Sequence, residues 1–101
     1  MKTYLGDRTI DGVFVTVDGN DLPDYAEVCK FTNAGFEWSY EGSAATQLAF
    51  ALIYDVTGDA GLAKSLAQPF MRTVTANFGN DWEMTDSDVL AAVAQVQSEK
   101  A

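Results

Sequence analysis

Along residues 2–19 apolar and polar positions alternate, with Val13, Val15 and Val17 on one side and Phe14 and Thr16 on the other. A period of two marks a strand with one buried face. Gly6-Asp7, Asp11-Gly12 and Asp18-Gly19-Asn20 punctuate the run, and these residue types accept the positive φ of tight turns. The pattern predicts a β-hairpin near residues 3–5 and 13–17. Between 20 and 34 the signal weakens, because DLPDYAEV is acidic, Pro23 lacks a ladder donor and VCKF is at most a short strand. A connection or a sheet edge is expected there. The period returns at Phe36, Trp38 and Tyr40, which alternate with Glu37 and Ser39 as on a half-buried antiparallel strand.

Gly42-Ser43 then opens an uncharged apolar run. Ser43 is the expected N-cap, and Ala44, Ala45, Gln47, Leu48, Ala49, Ala51 and Leu52 are good helix formers that stop at Gly58. Apolar side chains lie nearly all round this helix, which predicts burial from two directions. Leu62, Leu66, Phe70, Val74 and Phe78 recur every four residues and draw one stripe over residues 59–77. Pro69 interrupts that segment, so a kink or two short helices are expected, with Gly79-Asn80 ending the second. Trp82 and Met84 alternate with Asp81 and Glu83 as in a short strand. Thr85 and Asp88 have the spacing of a capping box ahead of a last helix with Val89, Leu90, Val93 and Val96 as its apolar face. The elements describe one α+β domain over residues 1–101. Its small antiparallel sheet, the N-terminal hairpin plus the aromatic strand, packs against about three helices, the first of them buried.

Composition supports a single core: 48% of the 101 residues are hydrophobic and 12% aromatic, and a chain of this length folds without a staple. The only cysteine, Cys29, cannot form an intramolecular disulfide, and no charged segment followed by an apolar one opens the chain. Cytoplasmic residence is therefore expected. The longest uncharged stretch, residues 42–54, falls short of the ~20 residues a membrane helix needs.

Charge changes the picture most. Fifteen acidic residues against six basic ones give a formal net charge of −9. Direct nucleic-acid binding is disfavoured, since that affinity comes from basic residues neutralising phosphates. A basic partner suits the surface better, although solubility or a salt-adapted host would produce the same excess of acid.

Specific chemistries fall away in turn. The chain has no histidine, which removes Ser-His-Asp and Cys-His catalysis, and one cysteine without histidine builds no zinc site. Asp18, Asn20, Asp21 and Asp24 suggest calcium, but Pro23 and Cys29 stand where an EF-hand loop requires Gly and Glu. No phosphate-binding glycine loop is present. Neither a cofactor nor a metal is expected. Two windows hold acids without any base: Asp18, Asp21, Asp24 and Glu27, and Asp81, Glu83, Asp86 and Asp88. Alternate carboxylates in an extended segment project about 6.6 Å apart on one face and can imitate a row of phosphates. The plainer alternative is solvated loops and a helix N-terminus that favours Asp86 and Asp88.

Tyr4-x-Gly6, Val15-x-Val17-x-Gly19 with Leu22-Pro23, Phe36-x-Trp38-x-Tyr40-x-Gly42-Ser43, Leu48-Ala49, Asp59, Phe70, Val74 and Trp82 together form a pattern over about residues 4–93. In it the chain resembles a small prokaryotic and phage-associated domain family of unknown function. Ser39 and Ala44 stand where that pattern more often has Gly. The resemblance implies a compact α+β domain and phage or mobile-element company, and it transfers no catalytic residue.

The expected function is a non-enzymatic acidic interaction protein that binds a basic surface of a macromolecular partner, with no membrane role; the sequence leaves the oligomeric state open, a monomer being favoured. In its most specific form it is a phage or mobile-element inhibitor of a host nucleic-acid-binding defence complex, an anti-CRISPR-like DNA mimic. The alternative is a small enzyme or small-molecule-binding domain with a pocket beside the aromatic strand, ringed by Glu37, Tyr40 and Glu41. An oligomerising structural protein is a third reading.

Overall fold

The computed structural model describes residues 2–100. Strands β1 (Thr3–Thr9) and β2 (Gly12–Val17) form the expected hairpin, and the sheet is completed by β3 (Asn20–Asp21) and β4 (Trp82–Thr85). All pairings are antiparallel, in the order β3-β2-β1-β4. Helices α1 (Ser43–Thr57), α2 (Ala60–Thr73) and α3 (Asp86–Lys100) follow, with a single 3-10 turn at Thr75–Asn77. The architecture is α+β, and the first helix is buried.

The hairpin is longer than its turn signals suggest. Gly6 lies inside β1 because the indole of Trp82, its cross-strand partner, fills the space a side chain would take: a Cβ on Gly6 would sit 2.1 Å from Trp82 Nε1. Trp82 in turn stacks on Phe78 at 4.4 Å and meets Trp38 edge-on at 5.8 Å.

Helix α1 is the centre of the molecule, with every residue from Ala44 to Ile53 buried. The inner face of the sheet (Tyr4, Val15, Trp82), the other helices and the long connection over residues 22–42 all join it in one core. From that connection Phe31 packs on Phe50 and Tyr25 on Tyr54. Gln47, also buried, ties it down by accepting from Phe31 N–H (2.8 Å) and donating to the carbonyls of Asp24 (2.7 Å) and Cys29 (3.0 Å). The helix begins at Gly42 without a side-chain cap, so Ser43 does not play the role expected of it. Gly58, in the left-handed region, closes the other end.

Three further expectations are corrected. Residues 36–40 are not a strand: Ser39 has φ +79°, which breaks the alternation, so Trp38 is buried while Tyr40 is exposed. Backbone groups there bond elsewhere, Ser39 N–H to Thr75 O and Arg8 Nη2 to Trp38 O. Pro69 does not divide its segment into two short helices but lies within one continuous helix. That helix stops at Thr73, before Gly79, because the Asn77 amide donates to the carbonyls of Arg72 (3.3 Å) and Thr73 (3.1 Å) and Thr75 Oγ1 turns to Ala45 O. Finally, Leu90 is exposed on α3, whereas Val89, Val93 and Val96 are buried as expected.

Candidate interaction face and the hydrogen-bond nodes around it

One face of the sheet is covered by the core and the other is open. On the open face the register aligns Phe14 with Asp7, and in the next row Asp21, Thr16, Leu5 and Glu83 run across all four strands. Asp81, just before β4, stands beside Asp7 at the end of the first row, and both carboxyls line the same depression. The neighbouring Asp81 carboxyl raises the Asp7 carboxyl above its ordinary range, and desolvation acts in the same direction. Between the rows Gly6 has no side chain and Trp82 points inward, leaving an open depression of about 480 Å³ bounded by Leu5, Asp7, Asp81 and Glu83.

The nominated acids divide. Asp81 and Glu83 share the open face, and Asp21 lies at its far edge. The others serve the fold: Asp18 accepts from Thr3 N–H (2.8 Å), Asp24 from Ala26 N–H (3.0 Å) and Asp86 from Ser87 N–H (2.9 Å). Asp88 completes the capping box, accepting from Thr85 N–H while Thr85 Oγ1 accepts from Asp88 N–H. Glu27 is exposed on the 22–42 connection. Each window of acids is thus split between surface and local structure. Asp7, the central carboxylate, was missed because Gly6-Asp7 has the composition of a turn. The signal that finds it is parity: two residues after Leu5, it must share that residue's face.

Residues proposed to ring a pocket beside the aromatic segment separate as well. Glu37 is held by Arg8, which also lies over the Trp38 ring at 5.1 Å. Glu41 faces Arg72 at 3.7 Å across a cleft that also includes Phe31, Ser43 and Gln68, while Tyr40 points to solvent.

A family of unknown function, DUF6166, matches residues 4–95. The chain belongs to this family. No curated protein and no solved structure matches it.

A second polar cluster in this DUF6166 domain lies between the sheet and the end of α1. The Asp55 carboxylate accepts from Tyr4 OH and Tyr25 OH, each at 2.6 Å, and from Lys2 Nζ at 3.2 Å. Burial alone would raise the Asp55 carboxyl, but the hydrogen bonds from Tyr25, Tyr4 and Lys2 outweigh it and hold it below its usual range. Burial and the same bonds push the phenols up, Tyr25 to about 12. Such groups hold their protons throughout the ordinary pH range, so the cluster fastens β1 and the 22–42 connection to α1. Among the described residues no group of acids and cysteine is arranged to hold a metal ion, and no helix is long and apolar enough to cross a membrane.

Proposed function

We propose that this protein is a non-enzymatic acidic interaction domain whose open sheet face binds a basic surface on a macromolecular partner. The observation that carries the reading is the pairing of Asp7 with Asp81 beside Glu83. Like charges beside one another on one surface repel, and among the described residues none of the ion pairs involves these carboxylates or Asp21. A Lys or Arg from a partner would relieve that repulsion.

In its most specific form the partner is a host nucleic-acid-binding defence complex and the domain a phage or mobile-element inhibitor of the anti-CRISPR kind, presenting carboxylates in place of DNA phosphates. The net charge of −9 and the small size support that form. So does the phage company implied by the Phe36-x-Trp38-x-Tyr40-x-Gly42-Ser43 pattern. Capture of partners from host lysate at low and moderate salt tests the reading, because binding led by exposed charge weakens steeply as salt rises. D81K/E83K should abolish capture, and undiminished capture by that variant would refute it. A small-molecule site is favoured by one observation, the cleft of about 480 Å³ where Glu41 faces Arg72. A thermal shift on adding a small ligand, lost in Arg72→Ala, would support that instead.

A further inference from the structure

The open face carries more than charge. Leu5 and Phe14 are 43% and 50% exposed, and both belong to that face, as diagonal neighbours in adjacent rows. Acids frame them on both sides, Asp81 and Glu83 along β4 and Asp21 on β3, with Asp7 beside Phe14. A groove built only to imitate phosphates has no use for two large apolar side chains at its centre.

Resting on the reading above, we propose that the partner docks an amphipathic protein segment across this face, with an apolar side chain on Phe14 and an Arg or Lys laid into the depression beside Leu5. The depression has the right chemistry for such a residue. Leu5 gives the aliphatic stem an apolar wall, and Asp7, Asp81 and Glu83 surround the position of its charged head. Charge also settles which class of occupant suits the face. A second copy would bring the same carboxylates against their equivalents, and a nucleic acid would bring phosphates. Only a segment mixing cationic and apolar side chains matches both components. Strands about 4.8 Å apart place Asp21 and Glu83 roughly 14 Å from one another, a span that about nine residues of helix cover.

The test uses two fluorescein-labelled helical peptides of equal charge on the full-length protein. One bears three Arg and three Leu on a single face, and in the other Ser replaces each Leu. The Leu peptide should bind at least tenfold more tightly, and this ratio should persist at high salt, where charge is screened. L5S/F14S should erase the ratio while leaving the weaker, salt-sensitive binding in place, and D81K/E83K should remove binding of both peptides. Amide shifts induced in the wild-type protein by the Leu peptide should centre on residues 5–7, 14 and 81–83, a readout independent of how the variants fold. Equal binding of the two peptides, lost in D81K/E83K, would overturn the amphipathic segment and leave the acidic-face reading standing. Binding that ignores D81K/E83K, shifts that map elsewhere, or no binding by either peptide would overturn both.

Discussion

Removing the Asp55 carboxylate is the sharpest perturbation of this fold. In Asp55→Ala, Tyr4 OH and Tyr25 OH each lose an acceptor at 2.6 Å, and Tyr4 is fully buried as a residue. Hydrogen bonds to a charged acceptor contribute about 1.5–3 kcal/mol each, so the pair amounts to roughly 3–6 kcal/mol. The Lys2 contact adds little, because its side chain is 48% exposed and an exposed ion pair is worth about 0–1 kcal/mol. A domain of this size has only about 5–15 kcal/mol in total. Asp55→Ala should therefore lower Tm by more than about 10 °C. Asp55→Asn keeps one acceptor and can donate to the other phenol, so about half that loss is expected. The pH dependence separates this account from simple loss of packing. Because the Asp55 carboxyl is held low in the folded protein, its contribution is present above the ordinary carboxylate range and is lost as pH falls through the folded value. The raised Tyr25 acts in the opposite sense: its contribution holds below the ordinary phenol range and is lost as pH climbs through about 12. Urea unfolding of the wild type and Asp55→Asn between pH 2 and 7 should show a shallower acid slope in the variant. Identical slopes, or an Ala variant within about 1 kcal/mol of wild type, would refute the reasoning.

Gly6→Ala should cost about 3 kcal/mol or more, the upper end of overpacking, and shift the tryptophan fluorescence, because the new Cβ would meet the Trp82 indole at 2.1 Å; an unchanged spectrum and midpoint would count against it. Gln47→Leu should lose about 3–5 kcal/mol in urea unfolding by stranding one N–H and two carbonyls of the 22–42 connection, and a loss under about 1 kcal/mol would show that water replaces them. Asp7→Asn should raise Tm at neutral pH and low salt, since the raised Asp7 carboxyl disfavours the folded state once ionised. The gain should shrink as pH falls through that carboxyl's range or as salt rises, and a lower Tm would contradict the like-charge pairing.

How much of this was legible beforehand depended on whether the cause was local. The hairpin, α1 and the Thr85-Asp88 cap follow from period and spacing, and the structure contains them. The aromatic segment had strand period too, yet its backbone conformation answers to Arg8 and Thr75, partners far away in the chain. Gly6 illustrates the same limit, because composition does not distinguish a turn glycine from one required by an indole on the neighbouring strand. That misreading also concealed Asp7, and with it the centre of the open face. For the acidic windows, nearness in sequence was a poor guide: Asp81 and Glu83 reach the surface, while Asp86 and Asp88 bond to the first turn of α3 and its cap.

The burial of α1 from Ala44 to Ile53 bears on how the molecule comes apart. A helix with no solvent-facing side from Ala44 to Ile53 has no stability apart from its neighbours, which are drawn from both ends of the chain. Opening any one of them bares an apolar helix, so unfolding is expected to be all-or-none, with coincident urea transitions by tryptophan fluorescence and circular dichroism. Amides in α1 should then exchange with solvent only when the whole domain unfolds. Cellular proteases would meet either an intact domain or a fully unfolded chain, and the protein's lifetime would follow its global stability.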